Sequence, residues 1–403
     1  MPTRAEPPGT AGAQHSAGHL LWLVRTGRAR TRAELQRTTG LSRSTVGQRL
    51  DALLAGGFLR PAGVDASTGG RPPTRLDFNH DHGLVACADL GATQARLAVF
   101  DLAGAPLARS HARLRISEGP ERVLDWVDGE LRALLDRCGR PAARLRGIGI
   151  GVPGPVEASA GVVRQPPIMP GWDGFPVAAR LRDRWGVPVL VDNDANAMAF
   201  GEYVGSHPDC PSLVLVKVAT GIGAGLVLNG QVYRGIDGGA GDLGHIRVDG
   251  AAGRTAARCM CGATGCLAAL ASGAALAQRL TERGVPAASS REFVSRVRAG
   301  VPEAVALARA AGQRVGEVLS TVVCLVNPQV LVLAGDLAET QFVTGVREVL
   351  YRRALPRATR NLEVTTSELG EDAGVRGLRA MVVDAVYAPD SVDRELDRLA
   401  GRA

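Results

Sequence analysis

The 403-residue chain has almost no lysine: Lys217 stands alone against 46 arginines. That imbalance fits GC-rich coding and by itself says little about function. Aromatic residues are also sparse, at 4%. No apolar run approaches the ~20 residues that a membrane helix needs; the longest are short, such as Leu20–Val24 and Val330–Ala334. The N-terminus has no apolar segment of the signal-peptide kind. Seven cysteines are an odd number, and three crowd into residues 259–266. These absences argue against a membrane span and a disulfide framework. They point to a reducing, cytoplasmic setting with a metal site. With 45% hydrophobic and 22% charged residues, the chain is not mainly disordered. Its length corresponds to two to four domains at ~100–200 residues each.

What is present is unevenly placed. The formal net charge is +7. Residues 1–80 hold 11 arginines against 5 acids, a net of +6, which leaves +1 for the other 323 residues. A basic N-terminal module fits a polyanionic partner, with solubility as the alternative reading.

Residues 1–14 are rich in Pro, Gly and Ala and read as a disordered tail. From 15 to 80 the pattern becomes helical. His19–Thr26 forms a short apolar helix. Thr31 caps a second helix, with Glu34 completing a capping box, and Gly40 ends it. Ser42 caps a third helix to about Leu54, with Val46, Leu50, Leu53 and Leu54 on one face. Arg43, Ser44, Thr45 and Gln48 then lie largely away from that face, and Arg49 joins them as a DNA-binding candidate. This is a helix-turn-helix, whose second helix enters the major groove. Two short strands around a Gly/Pro-rich loop form a wing, from which Arg71 and Arg75 reach phosphate or the minor groove. Arginine charge would supply salt-dependent affinity and the short polar side chains would read base edges. A small helical protein-interaction module is the alternative.

Further on, residues 85–101 (VACADLGATQARLAVFD) and 216–230 (VKVATGIGAGLVLNG) each read as strand, glycine turn and strand. Such turns can gather backbone N–H groups around a phosphate, although one alone is also compatible with a plain hairpin. Two of them, among alternating strands and helices, indicate a two-lobed α/β fold with a ligand cleft. The segment 188–202 (PVLVDNDANAMAFGE) runs from strand into helix. It puts Asp192, Asn193 and Asp194 at a strand end, where binding residues of open α/β folds gather. A carboxylate there can take a proton from a hydroxyl; plain helix capping is the other explanation. His245, Cys259, Cys261 and Cys266, with CxC-x4-C spacing, make a closed one-His, three-Cys set. That donor set fits one structural zinc ion per chain and leaves no open catalytic position; a chance cluster is the alternative.

The motifs DLGAT (89–93), GVPGPV (151–156), PGW (170–172), VDNDAN (191–196), ATGIGAG (219–225), GGAGDLGH (238–245), CMCGATGC (259–266), NPQVLVLAG (327–335) and EDAGVRG (371–377) together resemble the ROK family of repressors, open reading frames and kinases. The likeness implies an α/β, two-lobed, actin-like, hexokinase-type ATPase domain over 81–388 behind the winged helix-turn-helix of 15–80. A last helix at about 376–387 would return to the first lobe, with 389–403 as a C-terminal tail. The likeness also implies homodimers or homotetramers that respond to a sugar or sugar derivative.

By position, the resemblance makes Asp194 the counterpart of the general base of ROK kinases and Asn193 that of a sugar-hydroxyl contact. His245 matches a zinc ligand that also approaches the sugar. Asp242 stands where Glu is usual, and Gly154 joins the effector set. Ile168 and Ala268 replace an Asn and a Glu that would hold the sugar. Asp89, Gly91, Thr93, Thr220, Gly221, Gly223 and Gly335 mark a vestigial nucleotide site. Ala92, Gln94, Ala219 and Asp336 depart from the kinase pattern there, and Asp336 adds a repulsive charge. Thirteen residues separate His245 from the first cysteine of the cluster, a longer gap than usual.

The expectation is a cytoplasmic, nucleoid-associated transcriptional regulator, a repressor of carbohydrate-related genes. It would bind a double-stranded DNA operator, be controlled by an effector between the lobes and have no catalytic role. The alternatives are an ATP-dependent sugar kinase that uses Asp194, and an unliganded scaffold that binds DNA constitutively.

Overall fold

A computed structural model describes residues 15–64, 74–248 and 257–401. The N-terminal elements begin where short polar side chains can satisfy the first free N–H groups. Helix α1 (Ala17–Arg25) is capped by Ser16. Helix α2 (Arg32–Thr39) carries the full Thr31/Glu34 capping box and ends at Gly40, whose φ of 70° is left-handed. Helix α3 (Arg43–Ala55) is capped by Ser42, which accepts from the Thr45 amide. Strands β1 (Leu59–Val64) and β2 (Thr74–Phe78) pair antiparallel. The expected wing tip, with Arg71, and the expected 1–14 tail lie outside the described residues.

The first lobe contains β3 (Leu84–Leu90), β4 (Gln94–Asp101), β5 (Pro106–Arg113), α4 (Pro120–Arg137) and β6 (Leu145–Val152). A small hairpin of β7 (Val156–Glu157) and β8 (Val162–Val163) follows, then α5 (Val177–Trp185) and β9 (Val189–Asn193). Helix α6 (Asp194–Gly205) leads into the second lobe. That lobe contains β10 (Ser212–Val218), β11 (Ile222–Leu228), β12 (Gln231–Tyr233), α7 (Leu267–Ala271), α8 (Gly273–Glu282), α9 (Ser290–Arg298) and α10 (Pro302–Val326). It continues with β13 (Val330–Ala334), α11 (Thr340–Arg353), α12 (Pro356–Thr359) and β14 (Glu363–Thr366). Helices α13 (Ala373–Val386) and α14 (Pro389–Ala400) close the chain.

The two five-stranded sheets repeat one topology. Their orders are β5-β4-β3-β6-β9 and β12-β11-β10-β13-β14. In each, a hairpin of three antiparallel strands is extended by two parallel ones. Helices α6 and α13 lie between the sheets: α6 packs on β10 and β11, α13 packs on β3 and β6, and the two helices pack on each other. Gly377 lets them meet, because a Cβ there would collide with the Ala197 carbonyl. Among the described residues no helix is long and apolar enough to cross a membrane.

The N-terminal module is not separate from the first lobe. One apolar cluster joins Leu20, Leu35 and Leu50 to Cys87 and Phe100 of the sheet, Leu378 of α13 and Val392 of α14. The Gly18 amide donates to Asp393 (2.8 Å) and Arg25 pairs with Asp384 (2.8 Å). His82 and Tyr387 share a 2.9 Å hydrogen bond beside Phe58. Burial pushes the His82 ring down to about 4, so it stays neutral near pH 7. Residues 389–400, read from sequence as part of a tail, are therefore a helix docked on α1.

Candidate functional site

The cleft between the sheets is lined from both lobes. It gathers Asp89, Gly91 and Thr93 from the β3–β4 turn with Thr220, Gly221 and Gly223 from the matching β10–β11 turn. Gly335, after β13, joins them. Gly154, Asn193, Asp194, Asp242 and His245 line the same cleft, as do Ile168 and Ala268.

At its centre, β9 ends and α6 begins. Asn193 is the N-cap residue: its Oδ1 accepts from the Ala195 amide (2.9 Å), while its Nδ2 donates to the Gly154 carbonyl (2.9 Å). It is both a capping residue and a tie to the turn between β6 and β7. Buried Asp192 accepts from Asn196 (3.0 Å) and from Arg234 (2.6 Å), which fixes the turn from behind. Asp194, the first residue of α6, aims at β10. There Lys217 Nζ donates to its Oδ2 at 2.5 Å, with side-chain exposures of 20% and 7%. The single lysine thus sits in the cleft, a placement that its composition alone does not indicate. The fields of Asp194 and Asp89 push the Lys217 ammonium up, against burial.

Asp89 faces the same group. Burial pushes its carboxyl up to about 6, opposed by Lys217, and its Oδ1 has no hydrogen-bond partner. Burial also raises Asp242, which precedes the short helical turn carrying His245. Gln94, at the position where the resemblance implies lysine in kinases, accepts from Arg291 of the other lobe (2.5 Å) and meets His111 Nε2 (2.9 Å). A lysine there would repel that arginine. Asp336 lies in the cleft wall.

At one end of the cleft, His245, Cys259, Cys261 and Cys266 bring their ligand atoms within 4.8 Å of one another. Cys259 Sγ is 3.5 Å from His245 Nδ1, and Cys261 Sγ is 3.7 Å from Cys266 Sγ. A tetrahedron with arms of about 2.1–2.3 Å has edges of roughly 3.6–3.8 Å. The donor set therefore fits a tetrahedral metal ion. Main-chain pairing of Val248 with Gly265 and of Leu267 with Ile246 brings His245 to the cysteines across the long gap. Most of that gap, 249–256, is outside the described residues.

On the N-terminal module, Arg43, Ser44 and Gln48 of α3 are exposed, and Thr45 and Arg49 are half-buried. Val46, Leu50 and Leu53 are buried on the opposite side. The Ser44 and Thr45 hydroxyls lie 2.9 and 2.8 Å from that of the capping Ser42. Arg75 is half-buried on β2. The structure thus brings the cleft residues together and keeps this face apart from them. Sequence reasoning misses Lys217 and Arg291 because each meets its partner only after folding.

Two sheets of one topology about a shared cleft, with a helix-turn-helix in front, define a regulator-type chain of the sugar-kinase-like fold. The ROK family pattern matches residues 85–385, and the chain belongs to that family. The xylose repressor of Bacillus spizizenii is 28% identical over 357 residues, covering 88% of this chain and 91% of that protein. The ROK hexokinase of Thermus thermophilus is 33% identical, with a TM-score of 0.60 over 77% of this chain and 99% of its own. A ROK transcriptional regulator described as a homologue of the E. coli MLC protein shares the fold along nearly the whole chain. It has a TM-score of 0.80 at 24% identity, over 96% of this chain and 99% of its own.

Proposed function

We propose that this chain is a sugar-responsive transcriptional repressor. Its α3 face would read an operator, and its cleft would hold a sugar or sugar derivative that controls operator binding. The observation that carries this reading is the exposed Arg43, Ser44 and Gln48 face on a module fused to a cleft-bearing lobe. Likeness to the xylose repressor extends over 88% of the chain, more than the family domain alone. Arg43, Thr45, Arg49, Arg71 and Arg75 would add phosphate and base contacts.

In this reading the protein works in the cytoplasm, at the nucleoid, as a homodimer or homotetramer on a palindromic site. Gly154, Asn193, Asp194, Asp242 and His245 hold the effector. Asp89, Gly91, Thr93, Thr220, Gly221, Gly223 and Gly335 are the remains of a nucleotide site. The metal is structural zinc, held by His245, Cys259, Cys261 and Cys266. Bound zinc would stiffen the loop between Asp242 and the cysteines, and so the cleft wall. A sugar would shift operator affinity only as far as it prefers one lobe arrangement over another.

Kinase turnover is not part of the reading. Ala92, Gln94, Ala219 and Asp336, which depart from the kinase pattern, line the cleft, while Lys217 meets only Oδ2 of Asp194. Gel-shift titration with the DNA upstream of its own gene, at physiological salt, tests the proposal. Expected is a preference of at least about a thousandfold over random DNA, weakened by a sugar. Equal affinity for both DNAs sinks it. Sugar-dependent ADP release that is lost in Asp194→Asn would restore the kinase reading.

A further inference from the structure

The chain writes arginine at 46 of its 47 basic positions, and the exception points into the cleft. Lys217 lies on β10, opposite Gly223 of β11 and Ala334 of β13. Neither neighbour has a side chain long enough to reach past it. An arginine fork here would be satisfied face to face by Asp194, two N–H groups to two oxygens. An ammonium has three donors in a compact head. One is given to Asp194 Oδ2, and the other two remain for a ligand oxygen.

The surrounding charge restricts what that oxygen can belong to. Asp194 binds the ammonium, and Asp89 and Asp336 line the same cleft. Of the five arginines that line the cleft, Arg96, Arg164 and Arg298 are paired with Glu371, Glu157 and Glu339, Arg279 donates to the Leu270 carbonyl, and Arg258 is the fifth. A phosphate or carboxylate placed on Lys217 would meet this acidic surround. A hydroxyl meets no such conflict: it accepts from the ammonium and donates to a carboxylate. Asp194 Oδ1, the oxygen that Lys217 does not engage, is such an acceptor.

We propose that Lys217, held by Asp194, is the specificity-determining residue of the cleft. It selects an uncharged sugar by reading one of its hydroxyls, and it rejects the phosphorylated form of the same sugar. This rests on the cleft being the effector site, as proposed above.

The test is calorimetry on the full-length protein with D-xylose, D-glucose and N-acetyl-D-glucosamine, each beside its phosphate ester, with operator retention measured in the same samples. Expected is that any free sugar that binds does so at least about a hundredfold more tightly than its ester. Lys217→Gln weakens the free sugar at least about tenfold, and Lys217→Arg does not restore it. Thermal unfolding of both variants checks that they are folded. Should the glutamine variant not fold, the arginine variant decides by the same comparison.

An ester that binds as tightly as its free sugar, or tighter, and is lost selectively in Lys217→Gln would overturn the inference and make this an anion site. If that ester also releases the operator, the repressor reading stands. Unchanged free-sugar affinity in a folded Lys217→Gln likewise overturns the role of the lysine. If none of the six compounds binds or alters operator retention, the sugar-effector reading falls and this inference with it.

Discussion

Asp89 couples the cleft to pH. Its carboxyl titrates near 6 in the folded chain because burial penalises the ion. In an unfolded chain it titrates near 3.9. The folded state therefore binds the proton more tightly, and this group's contribution falls as pH rises from about 4 to 6. Asp89→Asn should match the parent in stability near pH 4 and exceed it by about 2 kcal/mol at pH 7–8. Urea denaturation across that range checks it; a constant difference at every pH would refute the assignment. At the metal cluster, Cys261 is exposed while Cys266 is buried. Cys261→Ser thus removes a ligand with little loss of packing. Elemental analysis should fall from about one zinc per chain, and the thermal midpoint should fall with it. Full zinc content in that variant would count against the site. The cysteine spacing makes this cluster legible in the sequence. The Lys217–Asp194 pair is not legible, because its members lie on different elements, 23 residues apart, and meet only when β10 and α6 pack.

The legible elements are those whose ends are set locally. Thr31 with Glu34, Gly40 and Ser42 delimit α2 and α3 from the chain itself. The two glycine turns place the β3–β4 and β10–β11 hairpins in the same way. Helix α14 is the counterexample. Pro389 at its first turn and Val392 and Leu396 one turn apart are visible signals, but nothing local names α1 as the surface they cover. The contact between α6 and α13 is also invisible in one dimension, since it depends on Gly377 facing the Ala197 carbonyl. Adding a methyl group there forces the helices apart. Gly377→Ala should cost about 3 kcal/mol or more, read as a lower urea midpoint. It should also weaken the effect of sugar on operator binding, because α6 begins at Asp194. A variant with an unchanged midpoint would show that the contact is looser than described.

For the whole molecule, the position of the DNA-reading module matters most. It shares its apolar interior with the first lobe, α13 and α14, so it travels with that lobe. In a paired protein, lobe closure changes the distance between the two reading helices only if the subunits join through the second lobe. Heads fixed in this way tolerate little change in operator geometry. Inserting five base pairs between half-sites turns one of them to the opposite face of the duplex, about half a helical turn away. Gel shifts on such an operator should lose at least about a hundredfold in affinity, and equal affinity would mean tethered heads.

The shared interior also bears on inheritance. A winged helix borrowed from a relative brings its own side chains to the seam with Phe100, Tyr387 and Val392, and only a matching set fills it. Exchange of residues 15–80 alone should therefore lower stability, and exchange together with the seam residues should restore it.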